Sequence, residues 1–247
     1  MVVEPILDCT LEGAIATVTL NRPDVRNALS HELRQGIRSR IAELDANENI
    51  HAIILTGADP AFCAGFDLRE LESAVSQVPE ITPLAAPFIS TKTPVIGAIN
   101  GAAYTGGLEL ALSCHFLIAS ERATFADTHA RFGLMPGWGL SVLLPEAVGV
   151  RRARQMSVSS EPIDATTALT WGLVNRVVAH EQLHAACMAI ARLICSNDQN
   201  AVRLISGVYN NQATLKDEVA WQLERAAWIG ASPAVPTSPK KAETNGW

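Results

Sequence analysis

One stretch of the sequence joins a buried-strand pattern, a set of glycines and a helix start, and it limits the folds open to the chain. Val95 to Ile99 is an apolar run with the length and β-branched content of a buried strand. Gly101, Gly106 and Gly107 then interrupt the chain, and a helical pattern begins at about Leu108. A strand, a glycine turn and a helix in this order direct bare backbone N–H groups toward a ligand.

Glu109 falls in the first turn of this predicted helix, beside the amide donors. A carboxylate next to an exposed amide suits carbonyl chemistry. The same residue has a purely structural interpretation, because the helix dipole favours an acidic side chain in the first turn. The local pattern alone leaves both interpretations open.

Composition excludes several classes of partner. The net charge of -6, without a Lys/Arg cluster, argues against nucleic acid binding, and no apolar run is long enough to predict a membrane span. The five cysteines have an odd total and no metal-ligand spacing, so we expect a reducing, cytoplasmic location. The six histidines include no pair at ligand spacing with a carboxylate cluster, so we expect no metal site.

The 247 residues suit one large domain with an appendage. Strands are predicted at residues 14–20, 52–55, 95–99, 116–119, 123–126 and 174–178. Helices are predicted at residues 31–45, 108–114, 140–148, 165–171, 182–195, 201–208 and 215–229. This α/β pattern predicts a core over 1–195, a helical region over 196–231 and a disordered tail over 232–247, with a mobile loop at 73–87.

Several short motifs occur in one order along the chain. They read Leu20-Asn21-Arg22-Pro23, Asn27-Ala28-Leu29, Phe62-Cys63-Ala64-Gly65-Phe66-Asp67-Leu68, Thr93-Pro94-Val95-Ile96-Gly97-Ala98-Ile99-Asn100-Gly101, Gly106-Gly107-Leu108-Glu109-Leu110-Ala111, Gly133-Leu134-Met135-Pro136-Gly137 and Gly172-Leu173-Val174-Asn175. Each is weak alone, but the ordered set resembles the enoyl-CoA hydratase/isomerase (crotonase) superfamily over residues 10 to 195.

The resemblance implies a crotonase-like spiral of ββα units whose C-terminal helices form a homotrimer or a dimer of trimers. It implies an acyl-CoA thioester substrate and no separate cofactor, since coenzyme A is part of the substrate. It also implies that the N–H groups of Phe66 and Gly106 bind the thioester oxygen. The residues that it places at the coenzyme A site are Arg26, Ala28, Ala64, Gly65, Asp67, Leu68, Arg69 and Gly137. For each arginine, a solvated surface charge is the alternative.

Hydratases of this superfamily hold a water between two glutamates, and only the first is present here. It corresponds to Glu109, whereas the second position is His129. His129 can transfer a proton near neutral pH, or it can simply line the pocket. Asp127 is a spare carboxylate on the same side if the segment is extended. Trp138 occupies a loop position usually held by a small residue, where it would reshape the acyl pocket.

Three functions therefore stay open. The leading one is reversible hydration of 2-trans-enoyl-CoA to 3-hydroxyacyl-CoA through a stabilised enolate. The second is isomerisation of a 3-enoyl-CoA to a 2-enoyl-CoA, which one carboxylate can perform alone. The third is acyl-CoA binding without turnover, in which the acid/base pair has been lost.

Overall fold

The computed structural model describes residues 5–67, 69–70, 88 and 90–230, and it gives the backbone alone for 211–219 and 228–230. The loop predicted at 73–87, the tail predicted at 232–247 and the predicted site residue Leu68 lie outside the described residues. Within the described part of the chain, no helix combines the length and the apolar character needed to cross a membrane.

The larger sheet has six strands and forms the centre of the fold. They are β1 (Leu7–Glu12), β2 (Ile15–Leu20), β3 (Ala52–Gly57), β5 (Val95–Ile99), β7 (Phe116–Ser120) and β10 (Arg176–Val178), in the order β1-β2-β3-β5-β7-β10. β1 pairs antiparallel with β2, and every other pair is parallel. The central strands β3 and β5 are buried, as expected for parallel strands covered on both faces.

The smaller sheet contains the short strands that follow those of the larger sheet. They are β4 (Ala61–Cys63), β6 (Ala102–Tyr104), β8 (Thr124–Ala126) and β9 (Ile163–Asp164), in the order β4-β6-β8-β9. Thus β3 leads to β4, β5 to β6 and β7 to β8, so that each unit contributes one strand to each sheet. This repeat confirms the predicted α/β class of ββα units.

Seven helices are described. They are α1 (His31–Ala46), α2 (Gly106–Ser113), α3 (Leu140–Val148), α4 (Val150–Ser159), α5 (Ala165–Trp171), α6 (Leu183–Cys195) and α7 (Gln199–Gly230). Short 3-10 turns occupy Pro23–Val25, Ala130–Phe132 and His180–Gln182.

Helix α1 shows how local sequence sets these elements. The Ser30 side chain accepts a hydrogen bond from the Leu33 N–H at 3.2 Å, which caps the helix as predicted. The helix buries an apolar face on the core, and Arg34 is buried beside that face. This burial was not expected for a charged residue, and it places Arg34 beside the site described below.

The structure corrects the sequence prediction at several elements. The glycine turn predicted after Ile99 contains the strand Ala102–Tyr104, and the helix begins at Gly106 rather than Leu108. The two helices predicted after residue 200 are one helix, Gln199–Gly230, because the polar residues between them include no helix breaker. Strand β1 and helix α4 were not predicted, since most residues of each are partly or fully exposed and give little apolar periodicity.

Candidate active site

Close backbone packing brings the two predicted oxyanion donors side by side. A methyl group built on Gly107 would lie 2.1 Å from the Cys63 carbonyl oxygen, so only glycine lets α2 approach β4 this closely. Gly65 has φ +100°, a left-handed conformation, and a methyl group there would lie 2.8 Å from the Tyr104 oxygen. The residue after Gly65 and the first residue of α2, Phe66 and Gly106, therefore adjoin.

The N–H groups of Phe66 and Gly106 are available as donors. Neither takes part in the hydrogen bonds found among the described residues. The Phe66 N–H is skipped because the adjoining bonds run from Leu29 N to the Gly65 oxygen and from Asp67 N to the Leu29 oxygen. Gly106 opens α2, and the first N–H groups of a helix have no partner within it.

Glu109 is buried in the first turn of α2, with 2% of its surface exposed. Its Oε1 accepts a hydrogen bond from the Trp138 N–H at 2.9 Å. Burial raises the pKa of Glu109 to about 7, although His129 and the Trp138 hydrogen bond favour the charged form. The carboxyl group can therefore accept or release a proton near neutral pH.

His129 faces Glu109 across a short gap, with its Nε2 3.9 Å from Glu109 Oε2. On the other side of the ring, Asp127 Oδ1 lies 2.7 Å from His129 Nδ1, and it accepts the His129 N–H at 3.1 Å. The carboxylate at Nδ1 favours the tautomer with a proton on that atom. Nε2 is thus turned toward Glu109.

The pKa values of His129 and Asp127 are shifted in opposite directions. Burial lowers the pKa of His129, but the hydrogen bond to Asp127 and the charges of Glu109 and Asp127 outweigh it, so the net shift is upward. For Asp127, burial raises the pKa, and its hydrogen bonds from His129 and Ser157 bring it below the ordinary value. A protonated His129 beside an ionised Asp127 is favoured.

The smaller sheet explains why residues 20 positions apart meet. Tyr104 at the end of β6 pairs with Ala126 at the end of β8, and the Thr105 N–H donates to the Ala126 oxygen at 2.8 Å. The side chains of Thr105 and Thr128 are also hydrogen-bonded to each other. The residues after both strands, including Glu109 and His129, consequently project from the same edge.

Trp138 and Arg34 complete the surroundings of the oxyanion donors. The Trp138 ring lies 5.7 Å from the Phe66 ring, centroid to centroid, and a methyl group built on Gly106 would be 3.0 Å from it. The Arg34 guanidinium lies 4.5 Å from the Phe66 ring centroid and 5.8 Å from that of Trp138. Trp138 was expected to shape this pocket, whereas Arg34 was missed; an arginine directly beside an apolar helical stripe was its only signal.

The residues predicted at the coenzyme A site lie on two adjoining loops. The Arg26 carbonyl accepts the Ala64 N–H at 2.9 Å, which joins the loop containing Ala28 to the loop containing Gly65. The two loops are also joined by Arg22, whose Nη2 lies 2.9 Å from Asp67 Oδ2 and whose Nη1 donates to the Ala28 oxygen.

Arg26 and Arg69 are both exposed. The Arg69 N–H donates to Asp67 Oδ1 at 3.2 Å. Gly137 belongs to a different segment of the chain, immediately before Trp138. The structure thus brings most of the residues predicted at the coenzyme A site onto two adjoining loops.

No group of three or more His, Cys, Asp or Glu side chains within 5–67, 69–70, 88 and 90–230 is arranged to hold a metal ion.

Comparisons with known proteins agree with this geometry. A family model described as Enoyl-CoA hydratase/isomerase matches residues 10–229. An Arabidopsis thaliana protein named "Probable enoyl-CoA hydratase 1, peroxisomal" is 38% identical over 216 residues, covering 86% of this chain and 81% of that protein. A "Probable enoyl-CoA hydratase" of Rhizobium meliloti is 32% identical over 221 residues, covering 87% and 84%.

Solved structures give the same result. The crystal structure of an enoyl-CoA hydratase from Mycobacterium tuberculosis H37Rv superposes with a TM-score of 0.86 at 48% identity, covering 92% of this chain and 99% of that one. A Mycobacterium avium enoyl-CoA hydratase superposes with a TM-score of 0.86 at 46% identity, covering 92% and 97%. The chain therefore belongs to the enoyl-CoA hydratase/isomerase family, the crotonase superfamily.

Proposed function

We propose that this protein is an acyl-CoA thioester enzyme that reversibly hydrates 2-trans-enoyl-CoA to 3-hydroxyacyl-CoA. The family and the hydratases named among its relatives support this activity. The observation that carries the proposal is the buried pair formed by Glu109 and His129, 3.9 Å apart beside two available amide donors.

The amide donors act on the thioester oxygen. When water adds to C3, electrons move through the conjugated system and the oxygen gains the negative charge of an enolate. The N–H groups of Phe66 and Gly106 stabilise this charge, and a preorganised donor of this kind contributes about 3–4 kcal/mol. This step needs no resident cofactor, because both donors belong to the backbone.

Glu109 and His129 divide the proton transfers. Ionised Glu109 takes a proton from the water whose oxygen bonds to C3, and protonated His129 gives its Nε2 proton to C2 of the enolate. The pKa of about 7 at Glu109 and the raised pKa of His129 make both protonation states accessible near neutral pH. Each hydration leaves Glu109 protonated and His129 neutral, so a proton passes from Glu109 to His129 Nε2, 3.9 Å away, before the next cycle. Dehydration uses the same transfers in reverse.

Isomerisation is the second candidate, and one feature favours it. Glu109 has a pKa of about 7 and is held by Trp138, so it can remove a proton from C2 of a 3-enoyl-CoA and return it to C4 without His129. Binding without turnover is the third candidate. It is disfavoured by the retained Glu109 and by the orientation of His129 toward it.

The test is turnover of a short 2-enoyl-CoA, followed by loss of the conjugated thioester absorbance. Wild type, Glu109→Gln and His129→Ala are compared with Asp164→Asn, a control that alters an exposed helix cap on α5. Hydration by wild type with collapse in both site variants supports the proposal. If Glu109→Gln alone is inactive and a 3-enoyl-CoA is converted, isomerisation replaces it. If the protein binds acyl-CoA but converts neither substrate, the proposal that it is an enzyme is refuted.

The predicted homotrimer, or dimer of trimers, is part of the proposal. Its support is an exposed apolar face on α7, where Leu204, Ile205, Val208 and Tyr209 each expose more than half of their surface. Sedimentation velocity decides this point, and a monomer at micromolar concentration contradicts it. A reducing, cytoplasmic location is also proposed, since none of the five cysteines is paired. Cell fractionation tests that location.

A further inference from the structure

Helix α7 contributes a buried carboxylate, that of Glu224, to the segment before α3, whose Trp138 N–H donates a hydrogen bond to Glu109. Glu224 exposes 6% of its surface. Its Oε1 accepts the Gly139 N–H and its Oε2 accepts the Ser141 N–H, both at 2.7 Å. These donors lie at the start of α3, whose N-cap residue Gly139 has no side chain to satisfy them. Glu224 therefore caps α3 from a different helix.

A second residue of α7, Trp221, packs against Gly139 as well. Gly139 has φ +105°, and a methyl group built on it would lie 2.1 Å from the Trp221 ring. Trp221 and Glu224 are three residues apart on α7, so both side chains project from one face of the helix. Together, the side chains of Trp221 and Glu224 hold the backbone at Gly139 in place.

The residue before Gly139 is Trp138, whose N–H donates to Glu109 Oε1 at 2.9 Å. Because adjoining backbone groups move together, holding Gly139 also holds this N–H. We propose that Glu224 is a positioning residue for the reaction proposed above: by clamping Gly139 and Ser141, it keeps the Trp138 N–H on Glu109 and so fixes the orientation of that carboxylate.

Several charged groups face Glu109, and each affects its protonation. His129 lies across the gap on the segment after β8, with Asp127 behind it; Glu224 faces it from α7, and Arg34 of α1 packs against the Trp138 ring. The Trp138 hydrogen bond lowers the pKa of Glu109, whereas the negative charge of Glu224 raises it. Loss of the Trp138 hydrogen bond would thus raise the pKa of Glu109, whereas loss of the Glu224 charge would lower it.

The experiment compares Glu224→Ala with Glu224→Gln. Both remove the charge, but glutamine keeps one acceptor and alanine keeps none, so the difference between them isolates the clamp. Asp164→Asn is the matched control, because Asp164 Oδ1 caps α5 by accepting the Thr167 N–H at 2.7 Å. The pH dependence of kcat/KM for a short 2-enoyl-CoA is measured for each protein, together with KM and kcat.

Glu224→Ala and Glu224→Gln lack the same charge. If Glu224 acts as a clamp, only Glu224→Ala loses the Trp138 bond, and the limb that reports Glu109 lies about one pH unit higher in Glu224→Ala than in Glu224→Gln. For a limb near pH 7, this difference makes kcat/KM at neutral pH about fivefold lower in Glu224→Ala. The loss lies in kcat rather than KM, Glu224→Gln is less affected, and Asp164→Asn is unchanged. A limb that moves down equally in both variants shows a charge effect alone and overturns the proposal. An unchanged limb with lower thermal stability shows a simple helix cap and also overturns it.

Amide hydrogen exchange separates this inference from the activity on which it rests. The peptide spanning residues 136–142 is expected to exchange faster in Glu224→Ala than in wild type, with no change in Asp164→Asn. If wild type fails to hydrate the substrate but exchange rises as expected, the clamp stands and the proposed reaction is wrong. If wild type is active but exchange at 136–142 is unchanged in Glu224→Ala, the clamp is refuted and the reaction is untouched.

Discussion

The Asp127→Asn variant changes the charge beside His129 while preserving the shape of the contact. Asp127 exposes 1% of its surface, and its Oδ1 accepts both the His129 ring nitrogen at 2.7 Å and the His129 N–H at 3.1 Å. The amide oxygen of asparagine can accept the same two bonds. Its NH2 group can donate to the hydroxyl of Ser157, which helps to lower the pKa of the carboxyl group in wild type. The variant therefore leaves these groups satisfied and removes one negative charge.

The expected size of the effect follows from the type of hydrogen bond lost. A bond to a charged group contributes about 1.5–3 kcal/mol and a neutral bond about 0.5–1.5 kcal/mol, so the imidazolium loses roughly 1–1.5 kcal/mol. This corresponds to about one pKa unit. Because the Asp127 carboxylate raises the pKa of His129, that pKa falls in the variant. Asp127 also raises the pKa of Glu109, so that value falls as well.

The assay is the pH profile of kcat/KM for hydration, in which ionised Glu109 gives the acidic limb and protonated His129 the basic limb. The basic limb should move down by about one unit, with a smaller shift of the acidic limb in the same direction. Asp45→Asn is the control, since Asp45 Oδ1 accepts the Lys92 and Thr93 N–H groups away from the site. A basic limb that stays in place, or moves up, refutes the assignment of His129 as the acid.

Three further predictions concern stability and substrate binding. Burial raises the pKa of Glu109 from 4.5 to about 7, so the protonated carboxyl group adds stability that is full below about pH 4.5 and is lost as the pH rises through 7. The free energy of unfolding of Glu109→Gln should therefore gain about 2.5 kcal/mol on that of wild type between about pH 5 and pH 8. Urea titrations measure this difference, and a difference that does not change with pH contradicts the prediction. Gly107→Ala places a methyl group 2.1 Å from a backbone oxygen and should lower the free energy of unfolding by at least about 2 kcal/mol. Gly207→Ala is the control, since a methyl group there has nothing within 4 Å, and its free energy of unfolding should rise by about 1 kcal/mol. If Gly107→Ala is as stable as wild type, the close packing is refuted. Arg22→Gln breaks the 2.9 Å ion pair with Asp67 that joins the two proposed coenzyme A loops. KM for the acyl-CoA substrate should therefore rise about tenfold while kcat is kept. A fall in kcat with KM unchanged contradicts the assignment of these loops to the coenzyme A site.

The sequence predicts elements that carry their own local signal. Val95–Ile99 is a continuous apolar run, and the structure has the same strand bounds. Asp164 and Gly172 mark the two ends of α5, and the structure shows both as caps. By contrast, Ala102–Tyr104 has three residues between glycines, too few to display a period, and its pairing with β4 and β8 makes it a strand.

The site divides in the same way. Glu109 and His129 stand at positions that the family resemblance marks, so their meeting could be expected. Asp127 was noted as a nearby carboxylate, but its bond to Nδ1 depends on the backbone turn after β8. Glu224 gave no signal, because its partner Gly139 is 85 positions away in the chain and contributes only a backbone N–H. Contacts of this kind depend on tertiary packing, which residue types do not record.

His129 stands where the family resemblance led us to expect a glutamate, and its environment explains how a histidine fits there together with Asp127. A glutamate at this position would put a third carboxylate among Glu109 and Asp127, in a site where each of those two side chains exposes at most 2% of its surface. Uncompensated buried charge is costly, so such a site would take up protons until little negative charge was left. A protonated His129 instead lies between the two carboxylates and offsets one of them. In the proposed mechanism Asp127 therefore both orients His129 and favours its charged form, and an apolar residue in place of Asp127 would remove both contributions to the proton transfer.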